Sequence, residues 1–393
     1  MLTRLPIISA SIDRSGFLRA LRRIGDRRLS KKFNSQLSLY LGLGPIYLTD
    51  SGISSFYLIL EGLKEKSTRK EVILPAYTAG SLVVAVRKAG LKPVLCDISL
   101  EDFNLDMGSL HQAISPDTLA VVCVHMFGIG AHYIEELRNQ IPQDTSLIED
   151  CAQSMGTRIG QKYTGSFGDL SFFSFNRGKN LPAFGGGCIV VNSNALTRNI
   201  DSVYLPKIKD NTVCSNFSLP LEALAFSLAS NPVIYCCGYP VISLFKETKP
   251  PKDFSVRKIH NFQAGLGLEL MRKKDEIFTK RHNNGAYLLD ALSGIPGIAL
   301  PKVREDIYVV FNRLPILFQE PLKRDAAEKK LLAAGIEASR MYLEPLHHMF
   351  ELGYKKEEFP NAVYFSERLL TLPVHPLVRQ QDLERIVEVI RKI

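Results

Sequence analysis

Three residues near the middle of this chain stand at the ends of apolar runs and together outline one kind of chemistry. Leu147-Ile148-Glu149-Asp150 ends in a carboxylate. Ser171-Phe172-Phe173-Ser174-Phe175 carries a hydroxyl near its end, and Lys179 follows Ser174 by five residues. Gly185-Gly186-Gly187 then leads into the apolar Cys188–Val191. An amine that can form an imine, an acid that keeps a ring nitrogen protonated, and donors for a phosphate are what pyridoxal phosphate requires. Each residue alone has a plainer reading. A loop lysine is usually a solvated charge, and an aspartate after a strand often caps the next helix. A glycine triplet can simply mark a tight turn or a close backbone approach. Residue type and spacing by themselves give an α/β ligand-binding enzyme.

The elements around these residues support that class. Val72–Leu74, Pro93–Ile98, Leu119–Val124, Ser146–Asp150, Ser171–Phe175 and Cys188–Val191 are too short for helices and end in turn-forming or polar residues. Gly80–Ala89 and Tyr133–Asn139 between them read as helices. Such alternation builds a mostly parallel sheet covered on both faces, with ligands at the carboxyl ends of its strands. A second region from about Asp253 predicts one long helix over Asn261–Leu289, strands at Tyr308–Val310 and Leu314–Phe318, and a helix Arg324–Ala334 ended by Gly335. Gln381–Ile393 reads as a closing amphipathic helix, so a smaller α+β domain is expected. The expected boundaries are a basic arm over residues 1–35, a large α/β domain over 36–252 and the small domain over 253–393.

Composition narrows the class. The 393 residues are 46% apolar and 23% charged, which suits a folded soluble chain of about two domains. Of the net charge of +9, residues 1–32 supply nine cations against Asp13 and Asp26, or 9 − 2 = +7. The remaining body is nearly neutral, which argues against nucleic-acid binding. The seven cysteines show no zinc spacing, and the N-terminus lacks a secretory apolar core, so a reducing cytoplasm is the expectation. His347-His348 has no accompanying carboxylate cluster, and no metal is expected there or at His375.

The order Glu149-Asp150-Cys151-Ala152-Gln153, then Phe173-Ser174-Phe175 with Lys179-Asn180-Leu181, then Gly186-Gly187, resembles the DegT/StrS family of sugar-nucleotide aminotransferases. That family is a branch of the fold-type-I pyridoxal-phosphate enzymes. Pro75-Ala76-Tyr77-Thr78, Gly90–Asp97, Val124–Gly128, Gln263–Gly267 and Leu372–Pro376 continue the likeness from about Thr49 to the C-terminus. The resemblance implies Lys179 as the Schiff-base lysine and proton shuttle, and Asp150 as the partner of the pyridinium nitrogen. It implies Gln153 against the ring or its phenolic oxygen and Ser174 at the phosphate. Gly52, Ile53 and Ser54 fall in its phosphate-binding turn, with Tyr77 and Ala79 beside the ring. His125, Arg257 and Tyr342 are its substrate-side candidates. The implied reaction is a two-stage exchange from an amino acid, typically glutamate, to a keto-sugar nucleotide or related sugar for polysaccharide or glycoconjugate synthesis, in a homodimer.

Several positions depart from the family. Ala79 stands where an aromatic often stacks on the ring, and Ile53 replaces the usual threonine. Val256, Arg257 and Lys258 occupy the positions of the family's Asn-Tyr-Arg, which reaches the partner's phosphate. The alternatives are a pyridoxal- or pyridoxamine-phosphate sugar dehydratase, whose members typically carry histidine in place of the lysine, and a non-catalytic scaffold at a membrane surface. Gly42-Leu43-Gly44 lacks the third glycine of a dinucleotide site. Residues 217–245 carry only Glu222 as a charge, but prolines interrupt them, so a buried hairpin or a dimer surface is the first expectation. Phe17, Leu18, Leu21 and Ile24 share a face ringed by arginines. Residues 14–32 and 217–245 therefore also form a two-signal pattern for peripheral contact with the inner face of a membrane.

Overall fold

The computed structural model describes residues 3–243 and 249–393. The large sheet is built from β1 (Ile46–Thr49), β2 (Glu71–Pro75), β3 (Lys92–Cys96), β4 (Thr118–Val124) and β5 (Ser146–Asp150). A short ribbon of β6 (Arg158–Ile159) and β7 (Lys162–Tyr163) follows, then β8 (Leu170–Ser174) and β9 (Gly187–Val191). The sheet order is β1-β9-β8-β5-β4-β2-β3. Strands β8, β5, β4, β2 and β3 run parallel; at one edge β9 runs against them, and β1, antiparallel to β9, runs with them again. Every residue of β4, β8 and β9 is buried, as expected of strands covered on both faces. On one face Phe56 of helix Gly52–Lys64 stacks obliquely on Phe172 of β8, ring centroids 5.2 Å apart.

In the C-terminal half, β10 (Ile298–Ala299), β12 (Leu314–Phe318) and β13 (Leu369–Leu372) form a small antiparallel sheet. Helices Pro321–Ala333 and Gln380–Arg391 pack beside it. Strand β11 (Ile307–Tyr308) pairs instead with β6, Ile307 opposite Ile159, and so ties this half to the ribbon between β5 and β8. The expected long helix is two, Asn261–Arg272 and Lys274–Leu292, broken at Lys273. The first packs on helices Arg14–Arg22 and Leu29–Leu41 while the second turns to helix Gln380–Arg391, so one apolar pattern serves two neighbours.

The basic N-terminal stretch is part of this packing. Asp13 caps helix Arg14–Arg22 through Gly16 N–H at 2.7 Å. Phe17 is buried edge-on against Phe262 at 5.5 Å, and Arg19 Nε donates to Glu269 at 2.9 Å. Helix Leu29–Leu41 buries Leu29, Phe33, Leu37 and Leu41 and runs through residue 35, where a boundary was expected. The apolar face of the first helix is thus divided: Phe17 and Ala20 are in the core, while Leu18 and Leu21 remain exposed.

Residues 244 and 245 of the apolar stretch lie outside the described residues. Within it, helices Ser215–Ala229 and Pro232–Ser243 meet at a sharp bend of 100°. The expectation of a buried hairpin fails on one face: Phe217 is 76% exposed and Leu221 67%, with Leu224, Leu228, Val233 and Ile234 also open. No single helix among the described residues is long and apolar enough to cross a membrane.

Candidate active site

The carboxyl ends of β4, β5 and β8 lie side by side, because parallel register sets Val124 opposite Asp150 and Asp150 opposite Phe172. That register brings Asp150 and Ser174 to one edge, where the loop after β8 delivers Lys179. Asp150 is buried and accepts one hydrogen bond, from Ala152 N–H at 2.9 Å. Burial raises its pKa, against the pull of Ala152 N–H, Lys179 and His125. Burial likewise lowers the Lys179 amine to about 8, opposed by the charge of Asp150 and reinforced by that of Arg313. Two groups that desolvation drives toward neutrality thus face each other, a pattern concentrated at functional sites.

The loop carrying the lysine is tightly held. Asn180 donates to Met155 O at 3.0 Å and Val310 O at 2.9 Å. Asn312 donates to Gly178 O at 2.6 Å and Asn180 Oδ1 at 3.2 Å. The buried Arg281 donates to Phe311 O, Asn312 O and Lys179 O at 3.2, 3.1 and 3.3 Å. Sequence reasoning missed Arg281, Asn312 and Arg313. The only signal was a charged residue on the inward side of a helical pattern, and its partners are about 30 and 100 residues away.

A cup for an anion lies at the start of helix Gly52–Lys64. Ser51 caps it, accepting Ser54 N–H at 3.3 Å, and the side chain of Ser174 closes one side. A Cβ on Gly52 would stand 2.9 Å from Ser174 Cβ, and one on Gly187 would stand 2.7 Å from Gly52 N. Only glycine keeps this approach open, as a phosphate at a helix N-terminus demands. Ile53 lends its backbone here, so the missing threonine hydroxyl leaves the amide in place. Asp50 is pushed up by burial despite its hydrogen bonds from Ser54 and from backbone N–H groups. Amine, acid and cup together fit pyridoxal phosphate. Lys179, Asp150, Ser174 and the turn Gly52–Ser54 would hold it.

Gln153 is buried beside this group, its Oε1 accepting Phe127 N–H at 3.1 Å and its amide nitrogen 3.3 Å from Met126 Sδ. A thioether is a weak acceptor, so that amide can serve a stronger one. His125 is placed differently from expectation. It is fully buried, with Nε2 2.8 Å from Glu149 Oε2 and Nδ1 accepting Ala131 N–H at 3.1 Å. Both ring nitrogens are engaged within the fold, and none is left for a substrate. Glu149 also accepts Gly165, Phe167 and Gly168 N–H at 2.7, 2.7 and 2.6 Å. His125, Glu149 and Cys151 come close enough to suggest a metal cluster, but these four hydrogen bonds already occupy the carboxylate.

Tyr77 is buried too, with its hydroxyl on the Met341 and Tyr342 carbonyls and its ring edge-on to Phe365 at 4.8 Å. That hydroxyl fastens the small domain to the large one. Ala79 is half-buried in the loop ahead of helix Ser81–Lys88 and offers no ring surface. Tyr342 lies within the field of Asp150 and Arg313, its hydroxyl pushed upward first by burial and then by Asp150. Arg257 points away: Nη1 donates to Asp210 O at 2.7 Å and Nε to Ser255 Oγ at 3.1 Å. Only its carbonyl meets this site, accepting Asp50 N–H at 2.9 Å.

Comparison with known proteins agrees with this geometry. Spore coat polysaccharide biosynthesis protein SpsC of Bacillus subtilis is 25% identical over 374 residues, covering 92% of this chain and 89% of that protein. The UDP-N-acetyl-3-dehydro-alpha-D-glucosamine 3-aminotransferase of Acidithiobacillus ferrooxidans is 26% identical over 345 residues, 87% and 82% of the two chains. The crystal structure of S. venezuelae DesV with a ketimine intermediate superposes with a TM-score of 0.77 at 23% identity, covering 99% of this chain and 98% of that one. This likeness identifies the architecture as the fold-type-I pyridoxal-phosphate transferase fold. The family pattern itself matches residues 21–218 and 252–391, so both the lysine loop and the small domain lie inside it and the apolar helix pair lies largely outside. The chain belongs to the DegT/DnrJ/EryC1/StrS aminotransferase family.

Proposed function

We propose that this protein moves an amino group from an amino acid, glutamate in the first instance, to a keto sugar carried on a nucleotide, in the making of a polysaccharide or glycoconjugate. The observation that carries this reading is the pairing of a desolvated Lys179 amine with a buried Asp150 beside a glycine-lined anion cup. Pyridoxal phosphate, when bound, supplies an electron sink for the carbon that loses its proton. Asp150 keeps a proton on the ring nitrogen, which its apolar surroundings make a strong interaction. Lys179 is neutral in appreciable fraction near physiological pH, so its Nζ can take a proton from carbon and return it one position away. The Gly52–Ser54 amides and the Ser174 hydroxyl hold the phosphate, and Gln153 offers an amide N–H to the ring's phenolic oxygen.

The test is isotopic. The protein, pyridoxal phosphate, 15N-glutamate and a panel of nucleotide-linked keto sugars are incubated together and the sugars analysed by mass spectrometry. The label is expected in one sugar, with 2-oxoglutarate formed in equal amount. A sugar that loses a hydroxyl without gaining label would favour the dehydratase alternative. No change in either partner would favour the scaffold.

Two assemblies accompany this reading. A homodimer is proposed from the family resemblance, and sedimentation equilibrium at half the expected mass would refute it. A membrane contact is proposed for helices Ser215–Ala229 and Pro232–Ser243. Phe217, Leu221, Leu224 and Leu228 form one exposed stripe with Glu222 as the only charge in either helix, and residues 219–251 fall outside the family pattern. The first helix contributes its cations and the exposed Leu18 and Leu21, since Phe17 and Ala20 are committed to the core. Wild-type protein should pellet with anionic liposomes at low salt and a variant with serine at 217, 221, 224 and 228 should not. Equal recovery of both in the supernatant would end the idea.

A further inference from the structure

Residues 4–10 lie as a strap joining the apolar helix pair, the C-terminal half and the lysine loop. Arg4 N–H donates to Pro232 O at 2.9 Å, and its guanidinium stands over the Tyr239 ring, 3.7 Å from the centroid. Ala10 N–H donates to Ser230 Oγ at 3.3 Å. These partners belong to helix Pro232–Ser243 and to the bend that joins it to helix Ser215–Ala229. In the C-terminal half, Leu5 N–H donates to Gly335 O at 2.8 Å, Glu337 N–H to Leu5 O at 3.0 Å, and His375 Nε2 to Pro6 O at 2.8 Å. Glu337 Oε2 joins the two sides, accepting Ile7 N–H at 3.0 Å and the Tyr235 hydroxyl. Between these anchors Ile8 covers the lysine loop, so close that a Cβ on Gly178 would stand 2.8 Å from its Cγ2. The same loop meets the helix pair directly, Phe184 edge-on to Phe226 at 5.5 Å.

The helix pair is itself lightly held. Helix Ser215–Ala229 buries only Pro220 and Ala223, and its apolar stripe faces outward. An element with so little buried contact opens locally at small cost. When it opens, the strap loses Pro232 O, Ser230 Oγ and the Tyr235 side together. The head of helix Asn261–Arg272 shows what would hold it closed. Asn261 Nδ2 donates to Ile24 O at 3.2 Å, and His260 Nε2 lies 2.9 Å from Asn216 Oδ1. Adjacent residues thus seat the arginine-bearing end of helix Arg14–Arg22 beside the start of the stripe. Only with the pair docked does an anionic lipid surface meet cations and stripe at once. A ligand shifts a protein toward the state it binds better. We propose that an anionic lipid surface, by holding the pair docked, fixes the strap against the Lys179 loop and raises the rate of amino transfer. The inference rests on the membrane contact and the Lys179 chemistry proposed above.

The test uses full-length protein loaded with pyridoxal phosphate, with and without vesicles of phosphatidylglycerol and phosphatidylcholine. Pelleting, hydrogen–deuterium exchange and the rate at which L-glutamate converts the visible band are read on one preparation. The mixed vesicles should slow exchange in residues 4–10 and 176–187. They should also speed conversion about tenfold, as a docked state about one-tenth populated in water would give. Vesicles of phosphatidylcholine alone should do neither. Y235F keeps the stripe but removes the hydroxyl that reaches Glu337. It should pellet as wild type does and lose most of both effects. The variant with serine at 217, 221, 224 and 228 should keep the basal rate and respond to no vesicle. Wild type that stays in the supernatant would overturn the membrane contact and this inference with it. Wild type without the visible band would overturn the Lys179 reading and, again, this inference. Wild type that pellets with exchange and rate unchanged, or Y235F that responds in full, would overturn this inference alone.

Discussion

Arg281, on the helix Lys274–Leu292, donates a hydrogen bond to the carbonyl oxygen of Lys179 at 3.3 Å, from a position about 100 residues further along the chain. The same guanidinium holds the carbonyls of residues 311 and 312, so one buried side chain fixes the lysine loop to the strand connection beneath it. R281M should leave three carbonyls without this donor. We expect a loss of about 2 kcal/mol in stability and about tenfold in kcat, with the donor KM little changed. Denaturant melts and steady-state kinetics on the same preparation check both.

Glu149 is a different kind of support, set one residue before the acid it positions. Its oxygens accept three backbone N–H groups and meet His125, all out of reach of solvent. E149Q would turn an NH2 toward backbone donors. A destabilisation of about 3 kcal/mol or more is expected, read as a lower urea midpoint at unchanged slope.

The lysine itself should report through stability before any chemistry. Burial lowers its folded pKa to about 8, below the 10.5 of an unperturbed lysine. A basic group with a depressed folded pKa costs stability while charged, so the cost is full below pH 8 and disappears as pH rises toward 10.5. Cofactor-free K179M should therefore be more stable than cofactor-free wild type at pH 7, by on the order of 3 kcal/mol. The two should converge by about pH 10.5. Chemical denaturation across that range decides it, and a gap that widens with pH would contradict the assignment.

The anion cup is open because Gly52 lacks a side chain. G52A would set a methyl 2.9 Å from Ser174 Cβ and 3.3 Å from its Oγ. Pyridoxal phosphate affinity should fall at least about tenfold while the fold survives, as equilibrium dialysis and circular dichroism would report together.

Much of this was legible in the chain because buried parallel strands write themselves plainly. Leu119–Val124 is a continuous apolar stretch followed by His125, and Leu147-Ile148 is followed by Glu149 and Asp150, so the polar residues after each run mark the sheet edge where ligands bind. Helical periodicity was less informative. Asn261–Leu289 kept one apolar pattern across a break at Lys273, because the two halves bury their faces against different neighbours. Phe17 read as part of a free amphipathic helix with Leu18, Leu21 and Ile24, yet Phe262 and its helix cover it. His125 read as a substrate-side candidate near the cofactor, and only the fold reveals that Glu149 and Ala131 claim both nitrogens. Arg281 and Arg313 were invisible for the same reason. Burial of a charge is set by tertiary neighbours, and the carbonyl partners of Arg281 carry no local signature.

The account's central claim is that Lys179 carries pyridoxal phosphate with Asp150 as the acid at its ring. It is tested most directly by loading purified protein with the cofactor, reducing with borohydride and locating the tagged peptide by mass spectrometry. The account predicts a visible band that borohydride removes, a stable cofactor adduct on Lys179, no adduct in K179A, and a band in D150N that glutamate no longer converts. A wild-type protein that shows no band in excess cofactor, or an adduct on any other lysine, would contradict it.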